Sequence, residues 1–325
     1  MNPLLQHIRN SLHAELKEYD KTFTQVMTSN VSLVDKVAKY IVRHRGKGLR
    51  PLLVILSARM VGEPNHNTYL VATLVEILHT ATLVHDDVID EAEVRRNFPS
   101  INALWKNKVS ILMGDYLLAK SLISATETGN LEIMKILAHT AKRLSKGELF
   151  QIEKSRKLNI SEREYFQLIS DKTAALLSAC CELGCLTVRD VTEDRAALAD
   201  YGENIGMAFQ IKDDLLDFQG EKRIIGKDVG ADLKGKKITL PLIISLNNAP
   251  DKERTFILKL LKKGVSGDDI KKIITFCEKY GGLEKAGKTA LDFAARAKDS
   301  LRSYADNHNK DNAFKFVDYV ITRQK

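Results

Sequence analysis

Apolar residues recur at three- and four-residue intervals through residues 68–93 with no proline or glycine inside the run, the pattern of a long, mostly buried helix. The same period carries residues 102–126, 131–153, 161–186 and 191–218, and none of these windows sustains the two-residue alternation of a strand. The spacing therefore predicts an all-α protein. Breaks at 46–51, 62–65, around Gly129-Asn130, 220–241 and 247–250 read as loops rather than interdomain linkers, so one domain over residues 1–325 is expected. Beyond residue 251 the helices shorten, with one at 268–280 and an alanine-rich one at 283–304, and no repeat of solenoid period is present.

A chain of 325 residues with 44% hydrophobic and 28% charged positions has the composition of a folded globular protein, not a disordered one. Its formal charge of +8 favours anionic partners: nucleic acid, anionic lipid or phosphorylated small molecules. Only 6% of residues are aromatic and no basic run is interleaved with them, so a base-stacking surface is not evident and nucleic acid is set aside. Residues 1–19 lack the apolar stretch and small-residue cleavage site of a signal peptide. No run approaches the ~18–20 apolar residues of a membrane span, which leaves peripheral membrane contact at most and a cytoplasmic address as the expectation. Cys180, Cys181 and Cys185 sit in an apolar run without a CxxC pair or nearby histidine, so with Cys277 they read as small core residues of a reduced protein.

One feature breaks the apolar pattern. His85-Asp86-Asp87-Val88-Ile89-Asp90 lies about two-thirds along the predicted helix 68–93, and helical spacing lets Asp86, Asp87 and Asp90 converge on one patch. Like charges one turn apart cost about 0.2–0.5 kcal/mol per pair unless a cation lies between them. All-oxygen ligation suits Mg²⁺, which binds through one or two carboxylates together with substrate phosphates. Gln210-Ile211-Lys212-Asp213-Asp214-Leu215-Leu216-Asp217 repeats the spacing in a second apolar helix, so two helices are expected to present acids across a shared cavity. Magnesium held by both could clamp a diphosphate and neutralise it as it departs. Asp268-Asp269 is different, since it opens a helix, where acids complement the dipole, and reads as a cap.

Cations flank these acids. Arg95-Arg96 follows the first triad, and guanidinium forks grip phosphate oxygens bidentately; an isolated Arg-Arg pair is more often a solvated helix end, but its position one to two turns beyond Asp90 favours the phosphate reading. Gly46-Lys47-Gly48-Leu49-Arg50-Pro51 sets cations on a glycine-containing loop before a helix, suited to an anion but lacking the strand and pattern of a nucleotide P-loop. After the second triad, residues 226–239 hold three glycines and four lysines, equally readable as a loop closing over phosphates or as a solvated one. Lys172-Thr173 opens an apolar helix and carries no assignment alone.

Taken in order and spacing, the two DDxxD motifs, residues 46–51 and Arg95-Arg96 closely resemble the trans-isoprenyl diphosphate synthase family over nearly the whole chain, and the ending Tyr319-Val320-Ile321-Thr322-Arg323-Gln324-Lys325 is similar to that of its long-chain members. The resemblance implies a bundle of long helices around a central cavity and a homodimer. It implies Mg²⁺ and the allylic diphosphate at Asp86, Asp87, Asp90, Asp213, Asp214 and Asp217, with Arg95, Lys172 and Lys227 touching that diphosphate. Lys47, Arg50, His79 and Arg96 match residues that hold isopentenyl diphosphate, Thr173 and Gln210 match positions lining the reaction centre, and Lys237 matches a basic residue of the closing loop. His79, otherwise a satisfied core histidine, lies two turns before Asp86 on nearly the same face. The implied reaction ionises the allylic diphosphate, lets the isopentenyl double bond attack the cation, and passes the released proton to the departing pyrophosphate, with no protein nucleophile. Two departures stand out: Arg45 replaces the first of two glycines before the motif lysine, and Gly48 replaces a common arginine.

In this family, bulky residues four or five places before the first triad form the floor that stops short products. Here those places hold Ala81 and Thr82, both small, so a long, octaprenyl-like product is implied, with quinone side chains as the expected destination. The alternatives are a short-chain farnesyl or geranylgeranyl synthase, a class I terpene cyclase, and a non-catalytic partner subunit; the small floor, the paired motifs and the intact triads oppose each in turn.

Overall fold

The computed structural model describes residues 2–95, 97–219 and 230–324. Among them the chain is all-α. Four helices, α1 (Pro3–Ser11), α2 (His13–Met27), α3 (Ser32–Arg43) and α4 (Leu49–Val61), lead into the long α5 (His66–Ile89). A small antiparallel hairpin, β1 (Val94–Arg95) with β2 (Phe98–Pro99), separates α5 from α6 (Ile101–Glu127) and α7 (Leu131–Lys157). Then come α8 (Glu162–Ile169), one π-helical turn (Ser170–Ala174), α9 (Ala175–Leu186) and α10 (Thr192–Gln219). The last third holds α11 (Ala231–Lys234), α12 (Leu240–Asn248), α13 (Asp251–Lys263), α14 (Gly267–Lys279), α15 (Gly282–Ser300) and α16 (His308–Thr322).

Apolar periodicity places the helices and local chemistry ends them. Asn65 and Thr68 form a reciprocal cap at the start of α5, Ser161 and Glu164 do so for α8, and Ser266 and Asp269 for α14, each such cap stabilising by about 1 kcal/mol. The Asp268-Asp269 pair is thus a helix start, as its sequence suggested. Helices α4 and α5 are apolar nearly all round because both are enclosed: Leu52, Leu53, Val54, Ile55 and Leu56 are fully buried, as are Val71, Leu74, Val75 and Ile77. Each such side chain stabilises by roughly 1.5–3 kcal/mol relative to exposure. Helix α10 joins two apolar clusters, giving Leu198, Tyr201 and Ile205 to one and Met207, Ile211 and Leu215 to the other. The four cysteines are free and buried, and burial pushes the thiols of Cys181, Cys185 and Cys277 up to about 12.

Three expectations are corrected. Helix α5 stops at Ile89, so the first acid motif occupies its C-terminal end rather than a point two-thirds along, because the chain turns at Asp90 and takes a positive φ of 49° at Glu91. The run 161–186 is not one α-helix but α8 and α9 joined by the π turn, and α6 is kinked at Lys106, whose φ is +68°. Two helices, α5 and α6, are in fact long and apolar enough by length and composition to cross a membrane, although 67% of the apolar window in α5 and 39% of that in α6 is buried inside the protein. In α5 the hydropathy is that of a core helix.

The π turn depends on close packing from both sides. A Cβ at Gly147 of α7 would lie 2.8 Å from the Lys172 nitrogen, and one at Gly206 of α10 would lie 2.3 Å from the Ala174 Cα. Two helices can therefore approach the backbone of the turn only because these positions carry no side chain, and π turns recur where a helix must aim residues at a site. Gly206→Ala is expected to destabilise the protein by about 1–3 kcal/mol through overpacking, read as a lower urea midpoint at unchanged m-value; an unchanged midpoint would show that the turn has room to move.

Candidate active site

The first motif sits where a helix least favours acids. Backbone carbonyls leave the C-terminal end of α5 partly negative, its last turn carries no basic residue, and Asp86 and Asp87 lie in that turn with Asp90 as its C-cap. By contrast, α7 ends on Lys154, Arg156 and Lys157. Asp87 is buried and turned toward Arg95, whose Nε donates to its Oδ1 at 2.7 Å from the short hairpin. Asp86 borders a cavity of about 480 Å³ and Asp90 an adjoining one of about 800 Å³. Burial first, then the Glu148 carboxylate, pushes the Asp86 carboxyl up to about 6, while Lys172 pulls the other way.

The second motif closes α10, and each of its acids has a partner within the protein. Asp213 pairs with Arg323, a buried residue at the end of α16 that also donates to the Phe209 carbonyl and lies 3.5 Å above the centroid of the Phe209 ring. Asp214 is buried and accepts from the Tyr165 hydroxyl at 2.6 Å and the Gln210 amide at 2.8 Å. Burial holds its carboxyl well above the usual range. Asp217 accepts from the backbone N–H groups of Ala231 and Asp232, capping α11. Thr173 donates to Gln210 at 2.7 Å, so one hydrogen-bonded line runs from Thr173 through Gln210 to Asp214.

Lys172 and Thr173, aimed by the π turn, border the 480 Å³ cavity and a smaller one of about 140 Å³ lined by Gln210, Asp214 and Lys237. Lys237 also reaches the 800 Å³ cavity beside Asp90. The two motifs thus border neighbouring openings that all share α7 as a wall, the π turn lining two of them. Arg50 and His79 line the 480 Å³ cavity, but Lys47 does not: it opens onto a separate pocket of about 230 Å³ with Arg9, Arg45 and Glu76, and its Nζ donates to the Tyr319 hydroxyl at 3.2 Å. Thr82 lines the large cavity, whereas Ala81 is buried and is not among its lining residues. Arg96 and Lys227 lie outside the described residues.

Glu148, Gln151, Tyr165 and Arg323 belong to this arrangement and were not singled out from the sequence. Glu148 and Gln151 are three apart and so share a helical face, the one signal that pointed to them; Tyr165 looks like an ordinary core aromatic, and Arg323 like part of a polar tail.

An all-α bundle with two acid-rich helix ends around cation-lined cavities defines an isoprenoid-type synthase. A family model described as polyprenyl synthetase matches residues 31–277. The short chain isoprenyl diphosphate synthase of Methanothermobacter thermautotrophicus is 32% identical over 295 residues, 89% of this chain and 90% of that protein. The octaprenyl diphosphate synthase of Escherichia coli K12 is 30% identical over 99% of both chains. A crystal structure of polyprenyl synthase from Caulobacter crescentus, complexed with calcium and isoprenyl diphosphate, superposes with a TM-score of 0.92 at 30% identity, covering 99% of this chain and 98% of that one. The chain belongs to the polyprenyl synthetase family and is a prenyltransferase.

Tyr165→Phe removes a donor from a buried carboxylate and is expected to cost roughly 1.5–3 kcal/mol of stability in urea unfolding. A loss under about 0.5 kcal/mol, the usual scatter of surface substitutions, would mean that Asp214 does not depend on this bond.

Proposed function

We propose that this protein is an all-trans long-chain polyprenyl diphosphate synthase, extending an allylic diphosphate, farnesyl diphosphate being the expected primer, by successive isopentenyl diphosphates with Mg²⁺. The observation that carries the reading is the placing of two DDxxD motifs at helix C-termini that lack basic residues in their last turns and face neighbouring, cation-lined cavities. The donor set fits magnesium: hard carboxylate oxygens with no thiol or imidazole among the two motifs. Asp86, Asp90 and Asp214 border the cavities, and the repeated motif brings Asp213 and Asp217 into the proposed donor set. Bound there, magnesium would neutralise the diphosphate as it leaves.

The protein's own groups do the rest. Lys172 and Lys237 flank the space beside both motifs and suit the allylic diphosphate, and Arg95 orients Asp87. Arg50 and His79 suit the second diphosphate. Thr173 and Gln210, fixed by their hydrogen bond, stand where the two substrates would meet. The proton released after carbon–carbon bond formation goes to the departing pyrophosphate, which needs no protein base. Leu83, Leu144, Leu149 and Leu176 give the 480 Å³ cavity an apolar wall for the growing chain.

Product length is read from Thr82, which borders that cavity, and from the small Ala81 behind it. With farnesyl diphosphate, labelled isopentenyl diphosphate and Mg²⁺, polyprenols of about C40 are expected after dephosphorylation and are expected to vanish in Asp86→Ala. Thr82→Phe is expected to shorten them more than Ala81→Phe. Products ending at geranylgeranyl would sink the long-chain assignment while leaving the chemistry; no product at any magnesium concentration would leave a partner subunit as the better reading.

A homodimer is part of the same proposal, working in the cytoplasm as one domain with at most peripheral membrane contact. Leu104, Ile111, Leu112 and Ile123 expose an apolar face on α6, which a second copy would cover. Sedimentation at micromolar concentration should give twice the chain mass of 36.5 kDa, and a persistent monomer would reject it.

A further inference from the structure

Glu148 lies outside both aspartate motifs, yet it lines the cavity of Asp86 and that of Asp90. It follows Gly147, the glycine that lets α7 approach the backbone of residue 172, and its carboxylate pairs with the Lys172 ammonium. Gln151, one turn on, accepts from the same ammonium at 3.0 Å and donates to Glu148 at 3.2 Å. Asp86, Glu148 and Lys172 line one cavity, and Glu148 also borders the cavity of Asp90. The Glu148 side chain is 16% exposed and that of Lys172 30%, so the pair is shielded from bulk water but not sealed.

The charges explain the arrangement. Three carboxylates, Asp86, Asp90 and Glu148, gather around the open end of α5, and the ammonium paired with Glu148 and acting on Asp86 is that of Lys172. We infer that Lys172 is a place-holding cation, held by Glu148 and Gln151 while the first aspartate site is free of metal, and that Glu148 joins Asp86 in binding the metal, which then releases Lys172 to the allylic diphosphate. A divalent ion supplies more charge to these carboxylates than the ammonium does, so its arrival removes the reason for Lys172 to stay. The released ammonium is then a donor for an incoming phosphate oxygen. Metal and lysine compete for the same carboxylates, and diphosphate and lysine cooperate afterwards, which orders metal before diphosphate. This inference rests on the proposed function, because it takes that reading's metal and diphosphate as the ligands.

The test uses full-length protein and metal alone. Mn²⁺ binding is followed by electron paramagnetic resonance without substrate, then repeated with inorganic pyrophosphate. Glu148→Gln, nearly isosteric, is expected to weaken the tightest Mn²⁺ site by about 10-fold, the low end of losses at residues that support a metal. Lys172→Met is expected to tighten Mn²⁺ by about 5-fold or more, the low end of ordinary coupling between ligands, and to weaken pyrophosphate binding to the metal-loaded protein. A folding defect weakens both variants, so the opposite signs separate competition from damage. Unchanged Mn²⁺ affinity in both variants, or weakening in both, overturns the inference. If wild-type protein binds Mn²⁺ and the variants behave as expected while no prenyl transfer is detected, the reading of function fails and the place-holder stands.

Discussion

Everything at the centre of this molecule follows from negative charge collected where a helix already ends in negative carbonyls. A carboxylate in the last turn of a helix opposes the macrodipole by about 0.3–1 kcal/mol when exposed, and partial burial adds desolvation. Asp86, Asp87 and the C-cap Asp90 incur this at α5, and Asp217 at α10. A fold retains such a concentration only if cations answer it. Arg95 answers Asp87, Lys172 stands beside Asp86 and Glu148, and Arg323 answers Asp213. The surrounding basic residues are thus counter-charges in the folded chain as well as groups suited to phosphate.

Placing those cations is a packing problem. Lys172 points into the cavities because the chain makes one π turn between α8 and α9, and that turn fits because α7 and α10 present glycines to it. A residue at a π turn is rotated off the face it would occupy in a regular helix, so Lys172 and Thr173 reach the space between the motifs while Leu176 and Leu177 return to the core. Hydrogen bonds then fix what the backbone has aimed: Gln151 for Lys172, and Gln210 for Thr173.

Helix periods and acid motifs were legible in the sequence because each depends on local spacing. Runs such as 131–153 and 191–218 correspond to α7 and α10, and the cysteines are core residues as their apolar surroundings indicated. What spacing could not give was long-range contact. Lys47 looked like a neighbour of Arg50 in one anion loop, yet the left-handed Gly48 lies between them and they line different cavities. Ala81 and Thr82 are adjacent in sequence, and a helix turns them about 100° apart, so only Thr82 borders the large cavity. Arg323 lies 110 residues beyond Asp213, and no local pattern could pair them.

The two motifs also differ in how their charge is balanced, and the difference is physical. At the first, the answering ammonium sits on a flexible, partly exposed stem and can be exchanged for a stronger cation. At the second, a guanidinium that cannot lose its charge is buried between Asp213 and the face of Phe209, Asp214 is enclosed by Tyr165 and Gln210, and Asp217 is spent on the start of α11. On the proposed reading, a metal at the first motif would displace one lysine, whereas one at the second would have to displace contacts from the end of α16 and the start of α11. Tyr319 on α16 accepts from Lys47, so the C-terminal helix touches the loop 46–48 as well as the second motif. One aromatic hydroxyl and one arginine four residues apart thus give the C-terminal segment a contact to each of two basic or acidic motifs that lie far apart in sequence.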